Sequence, residues 1–595
     1  MIDPALPLGA RVTGDGVSFA VWGPDADRLD LILFDGGHER SLPFPRGADG
    51  LHHLHVPGIG PGQAYALESG GQRLVDPYAL ALDRPYGGGE PPRALVTVPR
   101  PVPPHKPGFR AGGFIYELAV RPFTMVHLDV PEGDRGTLRA LAHPAIIDHL
   151  TRIGVDAVEL MPVIAWIDER HLPSLGLTNG WGYNPVTFMP VDPRLGTLDD
   201  LAAAARAFHV AGIDLILDMV FNHTGESDIF GRTLSFRGLG NQGLYRHAPD
   251  GSLVNDTGCG NTVACDHPMV RRMILDTLRH FVLHAGVDGF RFDLAPILGR
   301  TAEGFSAHAA LLEEMRADPL IADRILIAEP WDIGPGGYQL GRFGEPFLEW
   351  NDRYRDDVRR FWRGDAGTVG ALATRLAGSS DIFAGARSRT VNFLAAHDGF
   401  TLADLVAHET RHNEANGEQN RDGHGENFSW NNGAEGATDD PAILAARRRD
   451  IRALLATLFA SRGTIMLTAG DEFGRSQRGN NNAYCQDNAI TWVDWSARDE
   501  ELEAFVADLA RLRRAHLELA DPAFLRDGDV AWLTEAGEPM TVADWEQPDR
   551  ATLEMRIGRM RVLFNRSAAA VTFADGADVP PRSVRLLPIP QETRS

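Results

Sequence analysis

Hydrophobic and polar positions alternate over short stretches of the first hundred residues, as they do in a strand whose successive side chains point to opposite faces. Residues 17–22 (VSFAVW) and 29–34 (LDLILF) show the alternation most clearly, and glycine- and proline-rich turns separate such stretches. A helical spacing of apolar residues is not sustained there. The pattern predicts a small N-terminal β-sandwich over residues 1–108, which ends in a proline-rich linker at residues 99–107.

Beyond the linker, short apolar runs alternate with longer stretches in which apolar residues recur at helical spacing. The apolar runs cover residues 114–118, 157–160, 214–218, 287–292, 324–328, 391–395 and 464–467. The helical stretches include residues 197–210, 268–284 and 441–458. Repeated strand–helix units favour a parallel sheet. These seven runs, with an eighth that the pattern does not locate, predict a (β/α)8 barrel with long loops over residues 109–515.

Short alternating stretches return at residues 530–533, 560–564 and 570–573. They predict a small C-terminal β-domain, which we interpret as a second β-sandwich over residues 516–595. The chain of 595 residues is therefore expected to be a multidomain α/β protein, with a catalytic (β/α)8 barrel between two β-domains.

Charge and composition narrow the classes of partner. The net charge is −23, from 58 basic and 81 acidic residues. Nucleic acids and anionic membranes require a basic face, so neither is expected as a partner. The sequence has no apolar run near the roughly 18 residues that cross a bilayer, and residues 1–4 (MIDP) do not begin a secretory signal. Its three cysteines are too few for a disulfide framework, which favours a cytoplasmic location. The sequence does not indicate the oligomeric state.

Active sites of (β/α)8 barrels lie at the carboxyl ends of the strands, so polar residues that directly follow apolar runs are the candidates for chemistry. Four segments fit: residues 218–223 (DMVFNH), 289–293 (GFRFD), 327–331 (IAEPW) and 395–398 (AAHD). A lone acidic residue after a strand is more often a helix cap or a surface residue. Four polar clusters at four strand ends are much harder to explain as caps.

Three carboxylates in these segments have different predicted environments. Arg291 and Asp293 point to the same face of their strand, which favours the ionised form of Asp293. Glu329 follows apolar residues and precedes Pro330, which favours its protonated form. One charged and one neutral carboxyl group is the combination that a retaining glycosidase needs, and Asp398 is a third group that could stabilise a positive transition state.

Blander roles remain open for the neighbouring polar residues. His223 and His397 could be structural histidines whose hydrogen bonds are satisfied inside the protein. Asn222 could simply bond the backbone of a turn.

The four segments resemble the four conserved regions of the α-amylase superfamily, glycoside hydrolase family 13, and they occur in the same order. Longer segments resemble the isoamylase and bacterial glycogen debranching branch of that superfamily: residues 180–185 (GWGYNP), 257–262 (TGCGNT), 329–362, 412–417 (HNEANG) and 470–474 (GDEFG). The resemblance covers nearly the whole chain, and the N-terminal part looks like the starch-binding-type sandwich of these enzymes.

This resemblance implies a role for each candidate residue. Asp293 is implied to be the nucleophile, Glu329 the general acid and base, and Asp398 a ligand of the sugar hydroxyls. Arg291 is implied to orient Asp293. The further implied substrate-site residues are His223 and His397, which bond hydroxyls, Tyr183, which stacks beneath the sugar, and Asp218, which supports the site.

The debranching resemblance also implies hydrolysis of α-1,6 branch links in a glycogen-like α-glucan. Trp331 and Trp350 are interpreted as stacking platforms for sugar rings, with a place in the core as the alternative. The loop at residues 412–432 is interpreted as part of branch recognition, with a solvated lid as the alternative.

No cofactor is expected from these residues. Some superfamily members bind calcium near the equivalent of Asn222. Calcium is therefore an open alternative here, which the sequence disfavours because it has no cluster of three or more acidic residues there.

Other activities fit parts of the pattern. The chain is shorter than typical members of the branch, and shorter loops could favour sugar acceptors over water. A 4-α-glucanotransferase that makes α-1,4 links is therefore the main alternative. A trehalohydrolase of the maltooligosyltrehalose type and a catalytically silent glucan-binding protein are the others, and the presence of all three carboxylates argues against a silent binder.

Overall fold

The computed structural model of the protein describes residues 7–589. The prediction about a secretory signal concerns residues 1–4, which lie outside this range. The N-terminal strands are β1 (Gly9–Val12), β2 (Gly16–Trp22), β3 (Asp30–Asp35), β4 (His38–Pro43), β5 (Leu51–Pro57), β6 (Ala64–Ser69), β7 (Gln72–Leu74) and β8 (Ala94–Leu95). They form two antiparallel sheets, with the orders β1-β2-β5 and β4-β3-β6-β7, and β8 pairs with β6. The two predicted alternating stretches are β2 and β3.

The two N-terminal sheets enclose an apolar core. Phe19 on β2 and Tyr65 on β6 belong to different sheets, and their rings meet edge to face with centroids 5.0 Å apart. Both side chains are buried. The packing of two sheets through alternating inward side chains confirms the predicted β-sandwich.

The central part of the chain contributes ten strands to the described range: β9 (Phe114–Leu118), β10 (Ala157–Leu160), β11 (Asp214–Met219), β12 (Gly289–Phe292), β13 (Arg300–Thr301), β14 (Gly304–Phe305), β15 (Ile325–Ala328), β16 (Leu348–Trp350), β17 (Thr390–Asn392) and β18 (Thr464–Thr468). Strands β13 and β14 form a separate hairpin, and the other eight close into a barrel in sequence order. Neighbouring barrel strands are parallel throughout, including the closing pair β18 and β9. This confirms the (β/α)8 prediction.

Strand β16 is the barrel strand that the apolar pattern does not locate. It has only three residues, and the central one, Glu349, is an acidic residue that is fully buried. Glu349 accepts a hydrogen bond from the backbone of Gly341 at 2.6 Å and pairs with Arg389 at 3.3 Å. A short strand with a buried acidic residue has neither the length nor the apolar run on which the prediction depends.

The α-helices of the described range are α1 (Val120–Thr124), α2 (Leu138–Leu141), α3 (Pro144–Ile153), α4 (Leu172–Leu175), α5 (Leu198–Val210), α6 (Phe236–Leu244), α7 (Pro268–Ala285), α8 (Ala310–Ala317), α9 (Asp352–Arg363), α10 (Val369–Leu376), α11 (Leu402–Leu405), α12 (Pro441–Ala460), α13 (Glu500–Ala515) and α14 (Val542–Glu546). The predicted helices correspond to α5, α7 and α12. Thr197 begins α5 with a capping box to Asp200, and Asp440 caps α12 directly before Pro441, so local sequence fixes where both helices begin.

The C-terminal strands are β19 (Val530–Leu533), β20 (Thr552–Ile557), β21 (Met560–Asn565), β22 (Val571–Thr572), β23 (Asp578–Val579) and β24 (Ser583–Pro588). Four of them form an antiparallel sheet with the order β19-β20-β21-β24, and β22 pairs with β23. This confirms a small C-terminal β-domain. The domain boundaries at residues 108 and 515 remain predictions.

Along residues 7–589, the structure contains no helix that is both long enough and apolar enough to cross a membrane.

Gly289 allows β12 to approach β15 closely. A Cβ atom at this position would lie 2.5 Å from Cβ of Ile325 and 2.6 Å from its carbonyl oxygen, which is much closer than van der Waals contact. Because Ile325 is the paired residue of the neighbouring strand, relief would require the barrel to widen. We expect Gly289→Ala to lower the free energy of unfolding by about 1–3 kcal/mol, measured by calorimetry.

Gly370, in helix α10, provides the matched control because a Cβ atom there meets nothing within 4 Å. Gly370→Ala should leave the melting temperature unchanged or raise it, since alanine favours helix more than glycine does. Equal melting temperatures for Gly289→Ala and the wild type would contradict the close-approach argument.

Candidate active site

The guanidinium group of Arg291 is the centre of the site and is fully buried. Its Nη1 donates to both oxygens of Asp218 at 2.9 Å and to Oδ1 of Asp293 at 2.9 Å. Its Nη2 lies 2.9 Å from Oε2 of Glu329. The ring of Trp350 lies against the guanidinium, with its centroid 4.4 Å from Cζ. One cation therefore holds three carboxyl groups from three neighbouring strand ends.

Asp293 is oriented by donors on both of its carboxylate oxygens. Arg291 occupies Oδ1, and the side-chain amide of Asn222 donates to Oδ2 at 2.7 Å. The same amide also donates to the backbone carbonyl of Asp293 at 2.9 Å. Only 13% of the Asp293 side chain is exposed, so the carboxylate is fixed in direction and open on one side. Asn222 therefore orients the carboxylate of Asp293, whereas the sequence suggested only a bond to the backbone of a turn.

The carboxyl group of Glu329 is a weaker acid than that of an ordinary glutamate. Burial raises its pKa to about 8, and the nearby charge of Arg291 opposes part of this increase. Its Oε2 accepts a hydrogen bond from the backbone N–H of Leu294 at 2.7 Å. Leu294 has φ = 41°, a left-handed conformation that is unusual for a leucine. At neutral pH Glu329 is therefore protonated, as the apolar sequence around it predicts.

Asp398 has the opposite electrostatics. Although burial tends to raise its pKa, the hydrogen bond from His424 and the charge of His397 hold that pKa well below its usual range. Nε2 of His424 lies 3.3 Å from Oδ2 of Asp398. The Asp398 side chain is 31% exposed, more than those of Asp293 and Glu329. This carboxylate is ionised and is the one most open to a ligand.

His397 is held in its charged form by a glutamate that sequence reasoning missed. Its Nδ1 donates to Oε1 of Glu117 at 2.7 Å, and although burial lowers the histidine pKa, Glu117 raises it to about 9. Glu117 lies on β9 and is buried. A single acidic residue within the apolar run FIYEL is the signal that could have identified it.

Tyr183 and Asp218 contact each other beside His397 and Arg291. The Tyr183 hydroxyl donates to Oδ2 of Asp218 at 2.5 Å, and the tyrosine ring stacks on His397 with centroids 4.8 Å apart. Burial raises the pKa of Asp218 to about 6, while Arg291 opposes that effect. The structure thus brings Tyr183, from the GWGYNP segment, to the same place as the strand-end residues.

Glu159 is a second buried acidic residue that sequence reasoning missed. It lies on β10 beside Glu117 of β9, and burial raises its pKa well above the usual value, so it is a neutral acid at neutral pH. Neither of its carboxyl oxygens has a hydrogen-bond partner among the described residues. Its position within the run AVEL is again the only signal in the sequence.

His223 is buried beside Asp293. Its Nδ1 lies 2.5 Å from Oδ1 of Asn222, whose amide is directed to Asp293, so Nδ1 is the donor. Burial lowers the pKa of His223, which keeps the ring neutral. Its Nε2 is buried and has no hydrogen-bond partner in the part of the chain that the structure describes.

The two predicted tryptophan platforms have different positions. Trp331 lies just beyond the end of β15 and is half-buried. Trp350 is only 1% exposed and lies in the barrel interior between Arg291 and Phe393. The interpretation of Trp350 as a sugar platform is therefore wrong, because its ring already covers the guanidinium.

The loop at residues 411–436 is packed by a network of asparagines. Asn413 donates to Oδ1 of Asn481 at 2.9 Å, and Asn481 donates to the carbonyl of His424 and to Asn427, also at 2.9 Å. Asn413, Asn427 and Asn481 are all buried. These asparagines pack together beside the site, where Asn481 bonds the carbonyl of His424 and the His424 ring lies beside Asp398. Much of the rest of the loop is exposed, so its interpretation as part of branch recognition or as a solvated lid stays a prediction.

The thiols of Cys259, Cys265 and Cys485 are all free.

A (β/α)8 barrel that holds three carboxyl groups around one arginine, behind an N-terminal β-sandwich, defines a glycosidase of the α-amylase class. Residues 131–245 match the α-amylase catalytic domain family, and residues 7–79 match carbohydrate-binding module 48, the isoamylase N-terminal domain. The chain is 45% identical over 588 residues to a glycogen debranching enzyme of Dickeya chrysanthemi, with 91% of this chain and 89% of that protein covered. It is 42% identical over 612 residues to one of Yersinia enterocolitica, with coverage of 95% and 92%. The chain belongs to the glycogen debranching enzyme family.

Solved structures show the same fold. Pullulanase type I from Bacillus subtilis, complexed with maltose, has a TM-score of 0.77 at 21% identity, and the alignment covers 98% of this chain and 84% of that one. Pullulanase from Anoxybacillus sp. LM18-11, complexed with maltotetraose, has a TM-score of 0.75 at 23% identity, with coverage of 98% and 86%.

Arg291→Met tests the central ion cluster. Removal of the cation leaves the buried carboxyl groups of Asp218 and Asp293 without a compensating charge, so we expect a loss of about 3–5 kcal/mol in the free energy of unfolding, measured by calorimetry. Adding Asp218→Asn should restore part of this loss, because it removes one of the uncompensated groups.

The control for this prediction is Arg511→Met. Arg511 forms an exposed ion pair with Asp508 at 2.7 Å, and exposed pairs contribute little. If the double variant were no more stable than Arg291→Met alone, charge compensation would not be the function of Arg291.

Proposed function

We propose that the protein is a retaining glycoside hydrolase that cleaves α-1,6 branch links of glycogen or of limit-dextrin-type α-glucans. The observation that carries the chemistry is the pairing of Asp293 with a protonated Glu329 on one guanidinium group. The choice of bond is supported by the relatives, which are named glycogen debranching enzymes over nearly the whole chain. Those names give no support to the trehalohydrolase alternative.

In the first step, the Asp293 carboxylate attacks the anomeric carbon of the sugar at the branch point. Glu329 gives its proton to the glycosidic oxygen, which leaves with the main chain as an alcohol. Asp293 is suited to this role because Arg291 and Asn222 occupy one lone-pair direction on each of its oxygens and fix its orientation. The products of the step are a glycosyl ester on Asp293 and the debranched chain.

In the second step, Glu329 has lost its proton and acts as a base on water. The water oxygen attacks the anomeric carbon, the ester bond to Asp293 breaks, and Glu329 regains its proton. The raised pKa of Glu329 serves both steps, since a carboxyl group near pKa 8 holds its proton before the reaction and accepts one readily afterwards.

The other predicted site residues have proposed roles in binding. We assign sugar hydroxyls to Asp398, His397 and the free Nε2 of His223, and a sugar face to Tyr183. Trp331 provides an apolar surface near Glu329 that suits the C–H face of a further sugar. Asp218 and Arg291 act on the catalytic carboxylates and not on the sugar.

An α-glucan is therefore the proposed partner, and the cytoplasm is the proposed compartment. The compartment rests on the three free thiols, which fit a reducing environment.

The product profile tests the proposed bond. From branched dextrins with defined branch lengths, the protein should release linear oligosaccharides, and maltoheptaose should remain unchanged. Asp293→Asn should reduce the rate at least about a thousandfold, because it removes the nucleophile. Asp199→Asn, an exposed residue in the first turn of α5, is the matched control and should keep full activity.

Two outcomes would contradict the proposal. Formation of longer oligosaccharides from maltoheptaose, without branch cleavage, would establish a 4-α-glucanotransferase. Undiminished activity of Asp293→Asn would refute the assigned mechanism.

The pH dependence of kcat/KM tests the state of Glu329. The acid must be protonated in the free enzyme, and its pKa is about 8, so kcat/KM should be constant near neutral pH and fall as pH rises through 8. His397, with a pKa of about 9, should steepen the decrease at higher pH. The residual activity of Glu329→Gln should lack the step near pH 8, and a wild-type profile that stays flat to pH 9 would exclude Glu329 as the acid.

A further inference from the structure

Two histidines and a glutamate converge where residues 408–412 meet residue 435, at the two ends of the 411–436 loop. Each of His408, His412 and Glu435 offers a ligand atom, and these atoms all lie within 4.8 Å of one another. Nε2 of His412 lies 3.0 Å from Oε1 of Glu435, and Nδ1 of His408 lies 3.7 Å from the same oxygen. Two ligands bound to one tetrahedral zinc ion at about 2.05 Å are about 3.3 Å apart. The observed separations lie on either side of that value.

His408 is the independent sign of a ligand. The residue is only 6% exposed, and its Nδ1 has no hydrogen-bond partner among the described residues. That nitrogen faces Glu435, while Nε2 faces the buried carboxylate of Asp404 at 3.7 Å. Ligating histidines commonly direct their second nitrogen to a carboxylate in this way.

The backbone leaves space for both rings. Gly479 passes between them, and a Cβ atom there would lie 2.7 Å from Nδ1 of His408 and 3.0 Å from the His412 ring. A side chain at this position would therefore force at least the His408 imidazole to shift. Gly479 also has φ = 79°, which further favours glycine.

The charges suit a cation with nitrogen ligands. The backbone N–H groups of Glu409 and Thr410 donate to the carboxylate oxygens of Glu435 at 2.9 and 3.3 Å, which fixes this acidic side chain beside the two imidazoles. Arg447 opposes a cation, but its Nη atoms donate to the carbonyls of Gly436 and Ala434, and the two carboxylates of Glu435 and Asp404 outweigh its charge.

We propose that His408, His412 and Glu435 form a binding site for a divalent transition-metal ion of the zinc class. The two imidazoles and one carboxylate supply three ligands, and the side chains of His412 and Glu435 are 38% and 34% exposed, which leaves a fourth position to water. The ion joins residues 408–412 to residue 435, the two ends of the loop that carries His424 to Asp398. Its role is to brace that loop.

A second cluster, of His105, His209, Asp214 and Asp288, lies at the opposite end of the barrel strands. Its two imidazoles already bond the two oxygens of Asp288, at 2.7 and 2.6 Å. Both imidazoles of this cluster are hydrogen-bonded, whereas Nδ1 of His408 in the first cluster has no partner among the described residues, so the second cluster serves as an internal comparison.

Zinc titration of the chelator-treated full-length protein tests the site, with calorimetry for stoichiometry and Co²⁺ absorption for coordination geometry. We expect one ion per chain, visible d–d bands of a tetrahedral site, and a higher melting temperature with Zn²⁺. His408→Ala, His412→Ala and Glu435→Gln should each weaken binding at least about tenfold. Glu435→Gln keeps the shape of the side chain and guards against loss of folding in the histidine variants.

Two controls separate this site from other histidines. His308 forms an exposed pair with Glu313 at 2.7 Å and lies in neither cluster, so His308→Ala should bind Zn²⁺ as the wild type does. His105→Ala should also leave binding unchanged. Failure of the wild type to bind one ion, equal binding by His412→Ala and the wild type, or loss of binding in His105→Ala would each overturn the proposal. The measurements need no glucan, so they are independent of the proposed hydrolase activity.

Discussion

The fully buried guanidinium of Arg291 constrains the catalytic end of the barrel. A buried cation is tolerated only when partners surround it, and Arg291 meets Asp218, Asp293 and Glu329 at 2.9 Å. Those three residues lie at or beyond the ends of neighbouring parallel strands, so the barrel register sets their relative height. Trp350 covers one face of the guanidinium and keeps water from it. The position of the nucleophile is therefore a consequence of charge compensation inside the barrel.

One arginine does not neutralise every acidic group around it, and some of these groups stay neutral because they keep their protons. Glu159 and Glu329 are buried acids with raised pKa values, whereas His397 offsets Glu117 with a charge of its own. The site holds more carboxyl groups than cations, and this surplus gives Asp293 and Glu329 different chemical roles. Asp293 has donors on both oxygens, while Glu329 has its two contacts on Oε2.

Much of this could be predicted from the sequence, for identifiable reasons. Seven barrel strands are apolar runs, and the chemistry follows them at a fixed place, so Asp293 and Glu329 could be recognised by position alone. Strand β16 could not, because buried Glu349 interrupts its apolar character and is stabilised by Arg389, forty residues away. The burial of Trp350 depends on the same strand. The raised pKa of Glu329 was predictable in direction, but its contact with Arg291 required knowledge of the strand register.

The third carboxylate depends on a different kind of information. Asp398 does not directly follow its strand, because β17 ends at Asn392, earlier than the apolar run suggests. Its surroundings are set by His424, which is held by Asn481 and so by the packing of two loops distant in sequence. Asparagine-rich segments are polar and lack periodicity, so no local pattern distinguishes a packed network from a solvated loop. The barrel fixes Asp293 and Glu329 relative to each other, whereas the position of Asp398 against them depends on how well this loop is held.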